Sequence, residues 1–144
     1  MAFSLHGVHV PHRKNTQDKP VTRIEAPSTV VIPMSMHIGK PANPIVKIGD
    51  LVKVGTKIGS ADGFVSVPVH SSVSGKVVKI QDFLLSNGSK APAVVIESDG
   101  EMTFDENLKA PVVDSKESLM AALTESGIVG LGGAGFPTHV KFNV

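Results

Sequence analysis

The segment with the clearest capacity for chemistry is GLGGAGFPTHVK, at residues 130 to 141. Four of its residues have no Cβ: Gly130, Gly132, Gly133 and Gly135. A phosphate or a flat ring could therefore approach the backbone amides here closely. Pro137 would stiffen the end of the segment, and Lys141 could supply a cation. Composition alone leaves a second interpretation open, a glycine-rich turn between packed elements.

Three histidines near the start of the chain are a weaker candidate. His6, His9 and His12 are spaced by three, which is the repeat of a polyproline-type backbone. They could therefore share one edge and bind a metal, since imidazole is a common zinc ligand. We favour the simpler interpretation, a polar arm whose histidines are solvated or packed.

Two further groups of residues suggest chemistry only at first sight. Asp62, His70 and Ser71 contain the residue types of a catalytic triad, but nothing places them in a nucleophile elbow. We interpret them as ordinary hairpin residues. The beginning of the chain is basic, through Arg13, Lys14, Lys19 and Arg23. Without interleaved aromatic residues, this pattern does not predict nucleic-acid binding.

The composition is that of a small globular protein with an aliphatic core. The chain has 144 residues, which predicts about one domain. Six Phe and no Tyr or Trp leave mainly Val, Ile, Leu and Met to build the core. The net charge of +1 provides no general field for nucleic acid or an anionic membrane. Because there is no Cys, cysteine-held iron–sulfur clusters are excluded within this sequence. No apolar run approaches the ~18 residues typical of a membrane helix.

The chemical groups must be positioned by four segments. Residues 1 to 28 form an extended arm that we expect to lie along the next domain. Residues 29 to 100 contain many short apolar runs separated by turn signals, which predicts a small barrel or sandwich. The turn signals are Asp62-Gly63, interpreted as a tight turn between strands, Ser74-Gly75 and SNGS at 86 to 89. Residues 101 to 113 form a predicted linker, and residues 114 to 144 a helix followed by the glycine-rich segment.

The predicted helix covers residues 114 to 127. Asp114 stands where it could cap the first turn, and Glu117 occupies the capping-box position. Gly127 fits the left-handed residue that commonly follows a helix.

The β segment resembles the biotinyl/lipoyl family, whose fold is the barrel-sandwich hybrid. The resemblance is carried by VKIGDLVKVGTKIGS at 46 to 60 and PVHSSVSGKVVKI at 68 to 80. The Gly49-Asp50 pair matches a turn between two strands of that fold. Carriers of the family hold their cofactor on a lysine at a hairpin tip, where this chain has Asp62-Gly63. The nearest lysine, Lys57, lies in the preceding strand, so the resemblance implies the fold without the swinging-arm chemistry.

The glycine-rich segment carries a second resemblance. GIVGLGGAGFPTHVK at 127 to 141 is similar to the flavin-binding loop of the FMN subunit of respiratory complex I, although Leu131 stands where complex I subunits usually carry Arg. Together with the β segment and HGVHVPHRK at 6 to 14, it resembles the RnfC family of the Rnf electron-transport complex. A chain that stops at KFNV is then expected to be the front portion of such a subunit.

This resemblance implies a mainly β chain. A barrel-sandwich hybrid is followed by a helix and by the glycine-rich start of a truncated α/β flavin and nucleotide domain. It implies FMN and NAD(H) as cofactors of the full-length protein and two [4Fe–4S] clusters beyond this chain. The residues that would line the flavin site are Gly130, Gly132, Gly133, Ala134, Gly135, Phe136 and Lys141.

The same resemblance implies a function. The subunit would pass electrons between NAD(H), FMN and iron–sulfur clusters in an ion-translocating ferredoxin:NAD oxidoreductase, with no turnover by residues 1 to 144 alone. Its partners would be NAD(H) and other membrane and peripheral subunits, with no nucleic acid. It would lie at the cytoplasmic face of the cell membrane, held there by those subunits. The alternatives are a biotin or lipoyl carrier and a non-catalytic interaction module.

Overall fold

The computed structural model describes residues 11 to 143. Within this range the chain forms seven strands followed by two helices. The strands are β1 Thr29–Pro33, β2 Asn43–Pro44, β3 Leu51–Val52, β4 Lys57–Ser60, β5 Val69–His70, β6 Gly75–Leu84 and β7 Lys90–Ser98. The helices are α1 Lys116–Glu125 and α2 Thr138–Phe142.

Two antiparallel sheets build the β module. One has the strand order β1-β7-β6-β3 and the other β2-β4-β5. The longest pairing joins β6 and β7, from Gly75 opposite Ser98 to Leu84 opposite Lys90. Their hairpin is closed at the predicted SNGS turn, where the Leu85 amide donates to the Ser89 carbonyl over 2.8 Å. The prediction of a mainly β barrel-sandwich module is confirmed.

The core between the sheets is aliphatic, as the scarcity of aromatic residues predicts. Its most buried members include Ile32, Met34, Val52, Ile58, Val77, Val94 and Ile96. Strand β7 contributes most, because residues 93 to 96 are all buried whichever face of the sheet they occupy. A strand covered on both faces needs a continuous apolar run, which AVVI supplies at this point.

The Gly49-Asp50 turn forms as predicted between β2 and β3. Gly49 has a φ of 100°, which an L residue rarely adopts. The Lys47 amide donates to the Asp50 carboxylate over 2.8 Å, and the Asp50 amide donates back to the Lys47 carbonyl. The side chain of Asp50 therefore holds the turn closed from within.

The prediction of a tight turn at Asp62-Gly63 is wrong. Strands β4 and β5 are joined by residues 61 to 68, which we call the tip loop. The Lys40 amide donates to the Val65 carbonyl over 3.0 Å, and the Asp62 amide donates to Ser66 Oγ over 3.1 Å. These contacts, one of them with a distant segment, override the local preference of Asp-Gly for a two-residue hairpin turn.

The described part of the arm does not pack on the barrel. Residues 11 to 28 contain no helix or strand and are all exposed, including Val21 at 96% and Ile24 at 93%. The expectation that the arm lies along the next domain is therefore wrong for these residues. Within the described part of the arm, the first main-chain bond to the sheet is at Ser28, whose carbonyl accepts from the Ser98 amide.

The segment at residues 101 to 113 contacts the barrel without forming a strand. An isolated parallel bridge joins Phe104 to Val54. The Thr56 hydroxyl donates to the Asp105 carboxylate over 2.7 Å, and Lys53 forms an ion pair with Glu106. Its description as a linker stays a prediction, but its first half is bound to the module.

The N-cap of helix α1 lies one residue later than predicted. Ser115 is the N-cap: its hydroxyl accepts from the Ser118 amide, and the Ser118 side chain accepts from the Ser115 amide. The prediction of Asp114 and Glu117 as the capping pair is thus wrong, because the two serines satisfy the free amides reciprocally. Gly127 follows the helix with a φ of 66°, as predicted.

Candidate functional site

The glycine loop, residues 130 to 135, is closed at its base by the main chain. The Gly130 amide donates to the Phe136 carbonyl over 2.9 Å. One step further out, the Thr138 amide donates to the Ile128 carbonyl, also over 2.9 Å. Helix α2 begins immediately after this base, so the loop is held between α1 and α2.

The far end of the loop is fixed against the segment that follows β1. The Ile38 amide donates to the Ala134 carbonyl over 2.9 Å. Gly135 has a φ of 65°, and a Cβ there would lie 2.8 Å from the Met36 carbonyl oxygen. A side chain at this position would meet rigid backbone, so close packing explains the glycine.

The crest of the loop, residues 132 and 133, does not pack against the described chain. A Cβ added to Gly132 or Gly133 would meet nothing within 4 Å, and both residues are exposed. Gly132 has a φ of 85°, which by itself favours glycine. Gly133 has neither a positive φ nor a steric neighbour. Contacts within the described chain therefore give no reason for glycine at position 133.

The crest opens onto a cavity of about 760 Å³. The opposite walls come from residues 35 to 38 and from the end of the β6–β7 hairpin at 83 to 87. The exposed apolar side chains around it are Met36, Ile38, Phe83, Leu84 and Leu131. The lining drawn from residues 11 to 143 includes no Lys or Arg.

Five of the seven predicted site residues line this cavity: Gly130, Gly132, Gly133, Ala134 and Gly135. Phe136 and Lys141 form a separate pair beside it, with the Lys141 ammonium 5.8 Å from the centre of the Phe136 ring. The same ammonium lies 3.1 Å from the position that a Cβ on Gly130 would occupy. A cation therefore stands at the base of the loop, not at its crest.

Two buried histidines were missed by sequence reasoning. His37 Nδ1 lies 2.9 Å from the Ile38 carbonyl, and Nε2 accepts from the Val67 amide over 3.3 Å. This network assigns the proton of neutral His37 to Nδ1. His139 places Nε2 3.0 Å from the Phe64 carbonyl. Both histidines bond main-chain atoms of the tip loop, a relation that their local sequence does not signal.

The residues of the apparent triad are engaged separately. Asp62 accepts from Lys40 over 2.8 Å, and this bond lowers the pKa of its carboxyl group. Burial, followed by the nearby charge of Lys57, lowers the pKa of His70. The Ser71 hydroxyl donates to a main-chain carbonyl two residues ahead. The bonds of Asp62 and Ser71 to other partners support the interpretation that these residues do not form a triad with His70.

Nothing in the described part of the chain indicates a metal centre or a membrane span. Among residues 11 to 143, no group of three or more His, Asp or Glu side chains could hold a metal ion. His12 is exposed on the arm, while His6 and His9 lie outside the described residues. No helix within residues 11 to 143 is long and apolar enough to cross a bilayer.

Comparison with known proteins gives consistent matches. Residues 3–101 match the family model described as the RnfC barrel sandwich hybrid domain. A relative from Acetobacterium woodii, the C subunit of the Na⁺-translocating ferredoxin:NAD⁺ oxidoreductase complex, is 46% identical over 142 residues. The match covers 96% of this chain and 32% of the relative.

Two further relatives have similar names. The C subunit of the proton-translocating ferredoxin:NAD⁺ oxidoreductase complex of Clostridium ljungdahlii is 41% identical over 94% of this chain and 30% of its own length. The C subunit of the ion-translocating oxidoreductase complex of Rhodobacter capsulatus is 34% identical over 99% of this chain and 29% of its own length. The chain thus spans about a third of the length of these relatives, and it belongs to the RnfC family through its barrel-sandwich hybrid domain.

Proposed function

We propose that the glycine loop forms one wall of an FMN site in a subunit that passes electrons between NAD(H), FMN and iron–sulfur clusters. The observation that carries this proposal is the bare crest of the loop. No described residue of the chain limits a side chain at Gly133, yet this position lines a cavity. A bound group that lies against the backbone would explain why this position has no side chain.

The cavity fits such a group in size and chemistry. Its volume of about 760 Å³ is within the range of roughly 300–1,000 Å³ of small-molecule sites. Its walls combine apolar side chains with backbone amides, the usual surroundings of a flat, partly polar ring. Lys141, beside the cavity at the base of the loop, would supply a positive charge to balance a phosphate. When bound, FMN would supply the link between hydride transfer and single-electron steps.

The tasks of this chain's own residues follow from their positions. The loop crest would let the ring approach main-chain amides without a steric barrier. Met36, Ile38 and Leu131 would cover apolar ring edges and exclude water. The anchored ends at Gly130 and Gly135 would keep the crest at a constant distance from the barrel.

The remaining parts of the function would lie in the longer polypeptide. Because this sequence has no Cys, the two [4Fe–4S] clusters of the proposal would have to be held elsewhere. NAD(H) would meet the flavin in the completed domain. Neighbouring subunits of the membrane complex would hold the protein at the cytoplasmic face.

The test compares two single leucine substitutions in the full-length protein. Gly133→Leu places a side chain in the cavity, whereas Thr16→Leu adds an equally exposed leucine on the arm. We expect Gly133→Leu to weaken FMN binding by at least about tenfold, the equivalent of roughly 1.4 kcal/mol. Thr16→Leu should leave binding unchanged. The measurements are flavin fluorescence titration and the flavin content of the purified protein.

A full-length protein that holds no flavin would contradict the proposal, as would equal FMN affinity in the two variants.

A second candidate function, a non-catalytic interaction module, is favoured by one observation. Phe83 and Leu84 leave large apolar side chains exposed at the cavity rim. In that case the rim would be covered by a neighbouring subunit, and substitutions there would weaken assembly without affecting flavin.

A carrier function has no comparable support. The tip loop contains no lysine. Lys57, the nearest one, lies in β4 and forms an ion pair with Glu125.

A further inference from the structure

We propose that the tip loop is a fixed platform for the glycine loop and that His139 is the positioning residue that connects the two. The connection between the tip loop and the glycine loop is inferred from contacts within the chain. Only its consequence for flavin affinity rests on the proposed function.

The tip loop is held through its own main chain by several distant segments. The Val65 carbonyl accepts from the Lys40 amide, and its oxygen would lie only 2.1 Å from a Cβ on Gly39. The Pro68 carbonyl oxygen would lie 2.5 Å from a Cβ on Gly127. Such contacts require close backbone approach, so this part of the loop has little freedom to move.

His139 ties α2 to the platform. Its Nε2–H donates to the Phe64 carbonyl over 3.0 Å, and the two rings meet edge to face with centroids 6.2 Å apart. The side chain is 7% exposed. Because His139 is the second residue of α2, this bond fixes the helix just after the glycine loop ends.

The environment of His139 Nδ1 indicates why a histidine occupies this position. Nδ1 is buried and has no hydrogen-bond partner among the described residues. A buried nitrogen without a partner is unfavourable, and an apolar residue of similar volume would avoid that cost. The benefit that offsets the cost is the directed bond from Nε2, which an apolar residue could not make.

A second histidine connects the tip loop to the glycine loop through the residue that follows it. The Val67 amide of the tip loop donates to His37 Nε2. The next residue, Ile38, donates its amide to the Ala134 carbonyl of the glycine loop. The platform is thus connected to the end of the glycine loop at Ala134 and to the following helix at His139, both of which come after the open crest in sequence.

The test uses side chains that differ in where they place a donor. In His139→Gln the amide nitrogen is as many bonds from the backbone as Nε2, whereas in His139→Asn it is one bond too short. His139→Leu removes the donor, and Phe64→Leu removes the ring but keeps the carbonyl acceptor. Amide hydrogen exchange at Gly130 and Ile38, measured in the intact chain, reports the two anchors of the glycine loop.

We expect exchange at these amides to be about tenfold faster in His139→Asn and His139→Leu, because one local bond of ordinary strength is lost. His139→Gln and Phe64→Leu should stay within about threefold of the original protein. Ser66→Ala, which removes the acceptor for the Asp62 amide, should also speed exchange at both anchors without altering α2. Urea unfolding of each variant separates these local effects from a general loss of stability.

Equal exchange in His139→Gln and His139→Asn would overturn the positioning role, since only Gln places its amide donor as many bonds from the backbone as Nε2. Unchanged anchor exchange in both His139→Leu and Ser66→Ala would overturn the platform. In the full-length protein, flavin affinity should follow the same order as exchange. If exchange follows the order but no variant, nor the original protein, binds flavin, the platform is supported and only the flavin proposal fails.

Discussion

The glycines of the barrel and the glycines at the crest of the glycine loop serve different purposes. At Gly75 an added Cβ would lie 2.0 Å from the Glu97 carbonyl oxygen, and at Gly39 it would lie 2.1 Å from that of Val65. At Gly133 it would meet nothing. The barrel glycines Gly39 and Gly75 are thus required by contacts inside the chain, whereas contacts in the described chain do not account for the glycine at position 133.

This contrast shows how a glycine-rich stretch can be divided into structural and functional positions. Gly135 belongs with the barrel glycines, because the Met36 carbonyl leaves no room for a side chain. Gly133, three residues from the anchor at Gly130, does not. The same substitution, Gly→Ala, should therefore have opposite effects on stability in the two regions.

The largest effect is expected at Gly75→Ala. The new Cβ would collide with the backbone of β7, and the φ of 154° is unfavourable for alanine. We expect the free energy of unfolding to fall by about 3 kcal/mol, from the combined overpacking and backbone strain. Urea titration would measure it, with Lys76→Ala, at the exposed neighbouring position, as a control that changes stability by less than about 0.5 kcal/mol. A Gly75→Ala chain as stable as the control would contradict the assigned packing.

An intermediate effect is expected from acidification. The barrel is stabilised by hydrogen bonds to charged carboxylates, whereas the glycine loop is held by hydrogen bonds between neutral main-chain groups. The Thr56 hydroxyl bond to Asp105 is the main cause that lowers the pKa of this carboxyl group, and the Ser74 hydroxyl does the same for Asp99. A lowered pKa in the folded state contributes stability above the unfolded value of about 3.9. That stability is lost as the pH falls through the folded values.

We therefore expect the urea midpoint to decrease as the pH falls from about 5 through the unfolded carboxyl pKa of about 3.9 and below. Asp105→Asn should lower the midpoint at pH 7 and make the decrease on acidification smaller. Asp18→Asn, on the exposed arm, is the matched control and should behave like the original protein. If Asp105→Asn left the acid-dependent decrease unchanged, the hydroxyl–carboxylate bond would not be the anchor described here.

The smallest effect is expected at Gly133→Ala, and its sign is reversed. Alanine fits the backbone and the open space, so fewer unfolded conformations should make the protein more stable by about 0.5 kcal/mol. Thermal or urea unfolding would show it. A loss of more than about 1 kcal/mol would mean that the crest packs against its own chain, and the contrast with Gly75 would disappear.

Much of the fold could be predicted because its signals are local. The strand of APAVVIES and the SNGS turn follow from side-chain type and turn chemistry within a few residues. The left-handed Gly127 is of the same kind. The cap of α1 was misplaced by one residue, because Ser115 and Ser118 make a reciprocal pair that competes with the acidic residues beside them.

The parts that could not be predicted depend on contacts between distant segments. Asp62-Gly63 has the local signature of a tight turn, but a main-chain bond from Lys40 and side-chain bonds from His37 and His139 hold a wider loop. The roles of His37 and His139 depend on carbonyl and amide groups whose positions no side-chain pattern reveals. For the candidate site, the glycine positions could be identified in advance, whereas the division between packed and open ones required the fold.

The manner in which the tip loop is held has a consequence for how this module works with others. A cofactor carried on a mobile lysine side chain can reach several sites, so the distance between those sites need not be exact. The tip loop is held by the main chain of neighbouring segments and cannot move in this way. A group bound next to the tip loop would therefore be held at a fixed position relative to the barrel.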